Sequence, residues 1–558
     1  MDRVKKVIPF IIILIISLLA ALPVWRNGFF PMHDDTQPTR IFEMHAALKD
    51  GQFPVRWVKD LGYGYGYPIF NFYGPLPYYL GAGFMFLGVD ALVATKLVIT
   101  FGMILAGLAF YLMAFGSWGK LAAAIGAVFY LLAPYHAVQL YVRGALGEFL
   151  AYAFLPLAFA LFSGSPSRWK LVISTFGFAA VLLSHTISGF ILVWFIVIYF
   201  LVKLAWYLLQ KKNIDSFTKL QFVSVFLALG LSAFFWLPAF TEAQLTRVNK
   251  LSQGTNDFHN HFVYLDQLWD SAWGFAGSST GRFDGMSFKI GKLHIIGVMA
   301  ALVLLVWKRK QRLKVNLTQA ILLFSGFILS IVMMLEISRW LWELMPYFEF
   351  IQYPWRFLMF ACFFGSYIFL ILWKQLNLLI RYTTVRYLIG FTVIMAAVIG
   401  YGKYFEPQYT NSKTAIDYTD PGKIAWDISK ISDEYLPKDF PIPKTRDEVA
   451  SQDFRESSAI IVKTQDVRSH RLHLSFSAQR AAEIFFSRAI FPEWRIILDG
   501  VKVEPEIENG KIQVGIPAGE HNLTVYLADT PVRLIGNYLS LISALVLLGF
   551  VIKTRQSR

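Results

Sequence analysis

A mainly α-helical, polytopic membrane protein with about twelve transmembrane helices and one small extracytoplasmic β-sandwich is the fold the sequence predicts. Three observations carry that reading. The 558-residue chain is 56% hydrophobic and only 16% charged, far too apolar for an ordinary soluble enzyme. Apolar runs recur through residues 1–402, separated by short basic loops. After residue 455 the pattern changes to strict alternation, with one last apolar run at the end.

A span needs about 17–25 apolar residues to cross roughly 30 Å of hydrocarbon. Runs of this kind fall at 7–25, 92–115, 119–134, 148–164, 169–185, 187–209, 218–238, 293–307, 315–335, 356–374, 384–402 and 534–552. The first follows Arg3, Lys5 and Lys6, and no small-residue cleavage site comes after it, so it reads as a retained signal anchor. Lys and Arg collect in cytoplasmic loops. With the N-terminus inside and 75–89 interfacial or re-entrant, the inside loops hold Lys120, Arg168, Lys170, Lys211 and Lys212. They also hold Lys308, Arg309, Lys310, Arg312, Lys314, Lys374, Arg381 and Arg386, then the tail Lys553, Arg555 and Arg558. Both termini are then cytoplasmic. The net charge of +15 is an orientation signal facing anionic membrane lipid, with no nucleic-acid patch. A single cysteine, Cys362, excludes an internal disulfide or a CxxC metal site and reads as packing.

The same topology divides the chain. Residues 1–402 form the transmembrane domain, with its first extracytoplasmic loop at 26–91. Residues 403–533 are extracytoplasmic. Their first part, 404–454, is rich in Pro, Asp and Lys without periodicity. A β-sandwich is expected over about 455–533, from alternation at 471–476, 494–498, 511–516 and 521–527, with Asp499-Gly500 and Asn509-Gly510 as hairpin turns. Residues 534–558 are a C-terminal anchor and basic tail.

The stretch 30–79 organises the chemistry. Asp34 and Asp35 stand where the first helix leaves the bilayer. A short helix is expected next, with Thr36 as N-cap, Pro38 in its first turn and Gly51 at its end. Its Ile41, Met44, His45 and Leu48 share a face, which predicts a helix lying along the membrane surface. The Gly- and Tyr-rich run 62–79 offers rings at headgroup depth. One carboxylate could cap the helix, and that leaves the other unexplained. A carboxylate at a membrane edge can serve as a base that takes a proton from an acceptor hydroxyl or amide. His33 and His45 could modulate it or help bind a metal, polar rim histidines being the plainer reading.

Candidate partners lie in other loops facing the same side. Tyr141, Arg143 and Glu148 sit at the mouth of one span; an arginine there can fork onto a phosphate, or pair with Glu148 to join two spans. His136 and Gln139 add polarity without specificity. His185 lies at a helix corner, Glu242 ends a span ahead of Arg247 and Lys250, and Arg356 opens another within Tyr353-Pro354-Trp355-Arg356. Arg40 and Arg56 add cations from the first loop. Asp257, His259, His261 and Asp266 match no strong metal-ligand spacing. Nothing reads as a P-loop, dinucleotide fingerprint, HExxH or GxSxG.

With these residues quoted, the chain resembles the GT-C superfamily of membrane glycosyltransferases, whose acidic motif sits in the first extracytoplasmic loop. More closely, His33-Asp34-Asp35, Phe53-Pro54-Val55-Arg56, Arg143-Gly144 with Glu148, Ser184-His185 and Tyr353-Pro354-Trp355-Arg356 resemble a bacterial and archaeal integral membrane family. That family is labelled 6-pyruvoyl-tetrahydropterin-synthase-related, although nothing here resembles a pterin enzyme's zinc-binding histidines. The resemblance implies transfer of a hexosyl or pentosyl group from a polyprenyl-phosphate-linked donor to a glycan, lipid or protein acceptor of the cell envelope. It implies Asp34 or Asp35 as catalytic acid/base and Arg143 or Arg356 on the donor phosphate. A divalent cation is the one cofactor left open, its ligands unassigned. The rivals are a transporter or flippase of lipid-linked glycans, which needs polar groups along a mid-membrane path, and a non-catalytic envelope assembly protein.

Overall fold

Every predicted span is helical. The computed structural model describes residues 2–164, 167–307, 316–504, 506–508 and 511–556. The basic cluster Lys308, Arg309, Lys310, Arg312 and Lys314, the turn Asn509-Gly510 and Arg558 lie outside the described residues, as do the side chains of Arg3, Lys5, Lys6 and Arg555. Seven described helices are long and apolar enough to cross a membrane unaided: Val7–Trp25, Ala91–Trp118, Thr186–Leu209, Leu317–Met334, Pro354–Leu379, Thr383–Tyr404 and Pro531–Lys553. The helices Leu146–Phe162 and Lys292–Trp307 are apolar but shorter, and Arg168–Ser184 has 17 residues.

Two predicted spans are broken rather than straight. Lys120–Leu131 and Pro134–Val142 meet at 45°. Pro134 disfavours helical backbone in the residue before it and cannot donate to the preceding turn, so a new helix starts there. Ser216–Leu231 and Ala233–Leu245 meet at 67°. Here the Ser232 hydroxyl donates back to the Ala228 carbonyl at 2.8 Å, competing with the helix's own ladder. Pro354–Leu379 is 94% buried over its most apolar window and packs against Lys120–Leu131, Lys292–Trp307 and Leu317–Met334.

Leu76–Phe86 has 11 residues, about 16 Å of helix, too short to cross. It packs on Gln37–Lys49, the helix predicted to lie on the membrane surface. That prediction needs correcting. Of the predicted face, Ile41 and Met44 are buried and His45 and Leu48 half-buried, but Arg40, Glu43 and Ala47 on the other sides are buried as well. The helix is enclosed by protein because the rest of the first loop and the 403–453 segment both cover its polar side, Asp60 N–H donating to Glu43 at 3.3 Å, Arg40 lying over the Tyr73 ring and Thr39 donating to the Tyr418 carbonyl at 2.7 Å. Pro38 falls in its first turn as expected, but the Thr36 hydroxyl makes no cap bond.

The loops that charge parity assigns to one side all meet at one end of the bundle. Phe29 and Asn411 exchange backbone hydrogen bonds. Thr186 donates to the Phe72 carbonyl at 3.2 Å, Tyr353 to Asn256 at 2.6 Å, and Thr246 bridges to Pro437. Gly28 is obligatory at its crossing: its φ is +74°, and a Cβ would lie 1.7 Å from the Asn411 carbonyl oxygen.

The C-terminal region forms two antiparallel sheets, as the alternation predicts. One has the order β1 (Phe454–Glu456), β4 (Ala482–Ala489), β8 (Lys511–Ile516), β7 (Glu506–Glu508). The other has β2 (Ile460–Arg468), β3 (Arg471–Ala478), β9 (Gly519–Leu527), β5 (Trp494–Leu498), β6 (Val501–Val503). Leu474, Phe476, Ile484, Phe486, Ile496, Val514 and Leu523 fill the space between them.

Candidate functional site

Asp34 and Asp35 are adjacent in sequence but occupy different environments. Asp35 is tied down: Lys413 forms an ion pair with it, and the Tyr418 hydroxyl donates to it at 2.8 Å. Both partners come from the 403–453 segment. Asp34 is half-buried, and among the described residues its carboxylate has neither a hydrogen bond nor an ion pair. Its backbone is fixed instead, with the Asp34 N–H donating to the Arg143 carbonyl at 3.1 Å and Thr36 N–H to the Asp34 carbonyl at 2.7 Å. That close approach depends on Gly144, at φ +63°, where a Cβ would lie 2.1 Å from the Met32 sulfur.

Arg143 leads from Asp34 into a buried cluster. Its Nη1 lies 2.6 Å from Glu148, and its guanidinium lies over the Trp355 ring at 4.5 Å. Glu148 is 1% exposed and also accepts from the Tyr135 hydroxyl and from Gln139 at 3.1 Å. His185 and Arg356 fall within electrostatic reach of the same carboxylate. Arg356 donates to the Ile351 carbonyl at 2.8 Å and to Gln352 at 3.2 Å, but its Nε is buried without a partner and it has no ion pair among the described residues. Three loops distant in sequence thus place Arg143, Glu148, His185 and Arg356 together.

Arg40 is a further buried cation, 4% exposed, over the Tyr73 ring at 4.4 Å and beside Tyr78. Among the described residues it too has no ion pair, and its Nη1 finds no hydrogen-bond acceptor. Asp34 and Arg40 both fall within electrostatic reach of Tyr73, and Asp34 within that of Arg143 as well. Across from Arg40 the 403–453 segment supplies Glu434 and Tyr435. Tyr435 stacks on Phe72 at 5.3 Å and feels both Arg40 and Arg356. Sequence reasoning missed Glu434 and Tyr435, whose segment has no periodicity to flag them.

Other candidates lie elsewhere. His33 is exposed, 3.3 Å from the Phe275 carbonyl. Tyr141 donates to the Ala20 carbonyl at 2.6 Å, pinning the first helix. His45 packs on Phe86, and His136 is stacked between Phe149 and Tyr152. His185 caps the helix Thr186–Leu209 while its ring faces the cluster. Asp257 and Asp266 have separate partners, His259 and Arg282, so the candidate metal residues do not converge.

Arg56 and Glu242 form a second buried cluster that holds the last helix. Glu242 accepts from Arg533 Nε at 3.0 Å and Nη2 at 2.8 Å, and from Thr530 at 2.6 Å. Arg56 reaches Asn71 at 3.2 Å and Asn537 at 3.0 Å, and burial pushes its guanidinium down to about 10. Pro531–Lys553 is only 6% buried over its apolar window; besides this cluster, Ser540 ties it to the bend at Ser232, accepting from the Phe234 N–H at 2.8 Å and donating to the Gly230 carbonyl at 3.0 Å. Arg533→Ala leaves Glu242 buried and unpaired, and unfolding in detergent is expected at about 3–5 kcal/mol lower stability, with the Asp34 pocket still formed.

The sequence profile of a family described as "6-pyruvoyl-tetrahydropterin synthase related domain; membrane protein" matches residues 70–406. An uncharacterized protein of Lactococcus lactis subsp. cremoris is 26% identical over 278 residues, 47% of this chain and 44% of that protein, so the chain matches less than half of that relative's length. Among solved structures, the arabinofuranosyltransferase AftD from Mycobacteria aligns over 72% of this chain and 27% of its own, with 13% identity and a TM-score of 0.45. ArnT from Cupriavidus metallidurans, solved with undecaprenyl phosphate, aligns over 67% and 78% with 13% identity and a TM-score of 0.32. An Archaeoglobus fulgidus oligosaccharyltransferase aligns over 80% and 59% with 16% identity and a TM-score of 0.39. At such TM-scores the likenesses bear on neither site nor substrate. The family match is of another order: it runs from the first loop past the helix Thr383–Tyr401, over more than half of the sequence, and takes in Arg143, Glu148, His185 and Arg356. On that match the chain belongs to the 6-pyruvoyl-tetrahydropterin-synthase-related family of membrane proteins.

Proposed function

We propose that the chain is a membrane glycosyltransferase that moves a sugar from a polyprenyl-phosphate-linked donor to a glycan, lipid or protein acceptor on the extracytoplasmic face. One observation carries the reading: Asp34, a half-buried carboxylate without an ion pair among the described residues, lies within electrostatic reach of Arg143, whose buried cluster also holds Arg356, and neither Arg356 nor Arg40 has an ion pair among the described residues. Buried cations are kept without a partner where a ligand supplies the missing charge.

The chemistry follows from the placement. The Asp34 carboxylate takes the proton from the acceptor O–H or N–H, and the freed lone pair attacks the anomeric carbon. The bond from that carbon to the phosphate oxygen breaks on the opposite face, inverting the centre. The electron pair leaves on the phosphate, whose charge falls to Arg143 and Arg356. Glu148 keeps Arg143 in place, and Asp35, held by Lys413 and Tyr418, fixes the loop that aims Asp34. A divalent cation is a poor fit. Among the described residues no three His, Cys, Asp or Glu side chains converge, and Asp35 is already engaged by Lys413. The proposed step therefore uses none.

Lipid analysis of a strain lacking the protein tests the reading. A polyprenyl-phosphate sugar is expected to accumulate, with a glycan missing the corresponding residue. Unchanged donor pools together with unchanged glycans would contradict it.

A further inference from the structure

The helix expected on the membrane surface after Thr36 is enclosed by protein, but an exposed apolar element stands elsewhere, between the spans Leu317–Met334 and Pro354–Leu379. The backbone turns extended at Leu335, with ψ of 148°, and helical turns resume over Glu336–Ser338 and Arg339–Leu344. Their side chains divide by face. Ile337, Trp340 and Leu344, at i, i+3 and i+7, are 73%, 59% and 69% exposed, whereas Trp342 is 1% exposed. The Trp342 ring packs against Phe258 and Phe348, with centroids 5.3 Å from each. The charged side chains of these turns are paired, Arg339 with Glu336 and Glu343 with His259.

Depth and surroundings say what covers the apolar face. Trp342 Nε1 donates to the Met333 carbonyl at 3.1 Å, so the turns fold back onto the last residues of a span instead of reaching away from it. On both sides the exposed face continues into helices that face lipid. Leu317–Met334 exposes Leu317, Ile321 and Ile328. On the other side the exposed Tyr347 ring meets the exposed Phe240 ring edge to face at 5.3 Å. Phe240 belongs to the second half of the span broken at Ser232, whose first half exposes Phe226. Single exposed apolar side chains are ordinary on any protein. A row of them that carries on from lipid-facing helices at the end of a span, with a Trp and a Tyr among them, suits the boundary between headgroups and acyl chains.

We propose that the 335–347 loop is seated in the membrane leaflet nearest the candidate site, with Ile337, Trp340, Leu344 and Tyr347 in contact with lipid. The seat does not depend on the donor reading. It also joins the leaflet to the cluster, because the same loop goes on to supply the Ile351 carbonyl and the Gln352 side chain that hold Arg356. Gln352 fixes that end of the loop by donating to the Leu251 carbonyl at 2.7 Å.

The test places bimane labels on introduced cysteines in the full chain. The protein is reconstituted in phosphatidylcholine nanodiscs carrying a nitroxide at the headgroup, high on the acyl chain or low on it. Cys362 is fully buried, and the wild-type chain put through the same labelling sets the background. Labels at Trp340→Cys and Leu344→Cys are expected to be quenched about twofold, most strongly by the nitroxide high on the acyl chain, as for an apolar face about 5–10 Å into the boundary. A label at Ile328→Cys, within the span, should dim most with the deep nitroxide, and one at Ile461→Cys, exposed on the β-sandwich, should stay bright. Ile337→Cys reads the same face if Trp340→Cys melts below wild type. Quenching at the loop no greater than at Ile461 overturns the proposal. The face is then covered by water or by a second copy of the chain, and the bimane emission, red-shifted in water, tells these apart.

Discussion

An Asp34→Asn protein is expected to fold, insert and still bind lipid phosphate, while transferring sugar about a thousandfold more slowly than wild type, within the range for loss of a positioned general base. The expectation rests on the contrast between neighbours. Among the described residues the Asp34 carboxylate has no hydrogen bond or ion pair to lose, so the amide should leave the fold intact. Asp35 bonds Lys413 and Tyr418, and Asp35→Asn weakens a join between the first loop and the 403–453 segment. That ion pair is partly exposed, with Lys413 41% accessible, so its loss should cost no more than about 1 kcal/mol. The activity loss in Asp35→Asn should accordingly be smaller. Glycan mass spectrometry of complemented deletion strains, beside melting curves of the purified variants, reads both effects. Full transfer by Asp34→Asn would remove the base from the mechanism.

The second large effect is on stability. Glu148→Ala removes the counter-ion of Arg143 and an acceptor of Tyr135 and Gln139, all inside the bundle. Breaking a buried pair from one side costs about 3–5 kcal/mol, because the remaining charge is left without compensation. Glu148→Gln retains hydrogen bonding and should cost less. Denaturation in detergent measures the difference. A lipid phosphate can replace the missing charge, so undecaprenyl phosphate is expected to stabilise Glu148→Ala more than it does wild type. Equal stabilisation of the two would mean that the phosphate binds away from Arg143.

The parts of this arrangement that were legible in the sequence are those governed by periodicity and charge. Apolar runs gave the helices, and their basic loops gave a parity whose other loops are the ones that touch. Alternation gave the β-sandwich, and Asp499-Gly500, with φ of +52° and +82°, forms the turn it predicts. The breaks at Pro134 and Ser232 were harder to see, because hydropathy averages across a kink. The surface helix was misjudged for a related reason: the apolar face of Gln37–Lys49 is real, but part of what covers its polar side, the 403–453 segment, has no pattern of its own.

The site was legible as a set of residue types and not as a set of contacts. Arg143, Glu148, His185 and Arg356 could be named because charged residues at the mouths of spans are costly and therefore informative. Arg56 and Glu242 satisfied the same criterion and serve to anchor the last helix through Arg533 and Asn537. Cost alone does not separate a binding cation from a structural one; a missing counter-ion does, and only the three-dimensional arrangement shows that Arg40 and Arg356 form no ion pair among the described residues and leave one buried nitrogen each without an acceptor. The roles of Asp34 and Asp35 divide in the same way, on the presence of Lys413 and Tyr418.

Whether a lipid-borne phosphate belongs among these arginines is most directly answered by a cryo-EM map of the full chain in nanodiscs with undecaprenyl phosphate. The phosphate is expected within hydrogen-bonding distance of Arg143 or Arg356, on the side that faces the Asp34 carboxylate. Phosphate density at any other place on the protein, away from these arginines, would contradict the account.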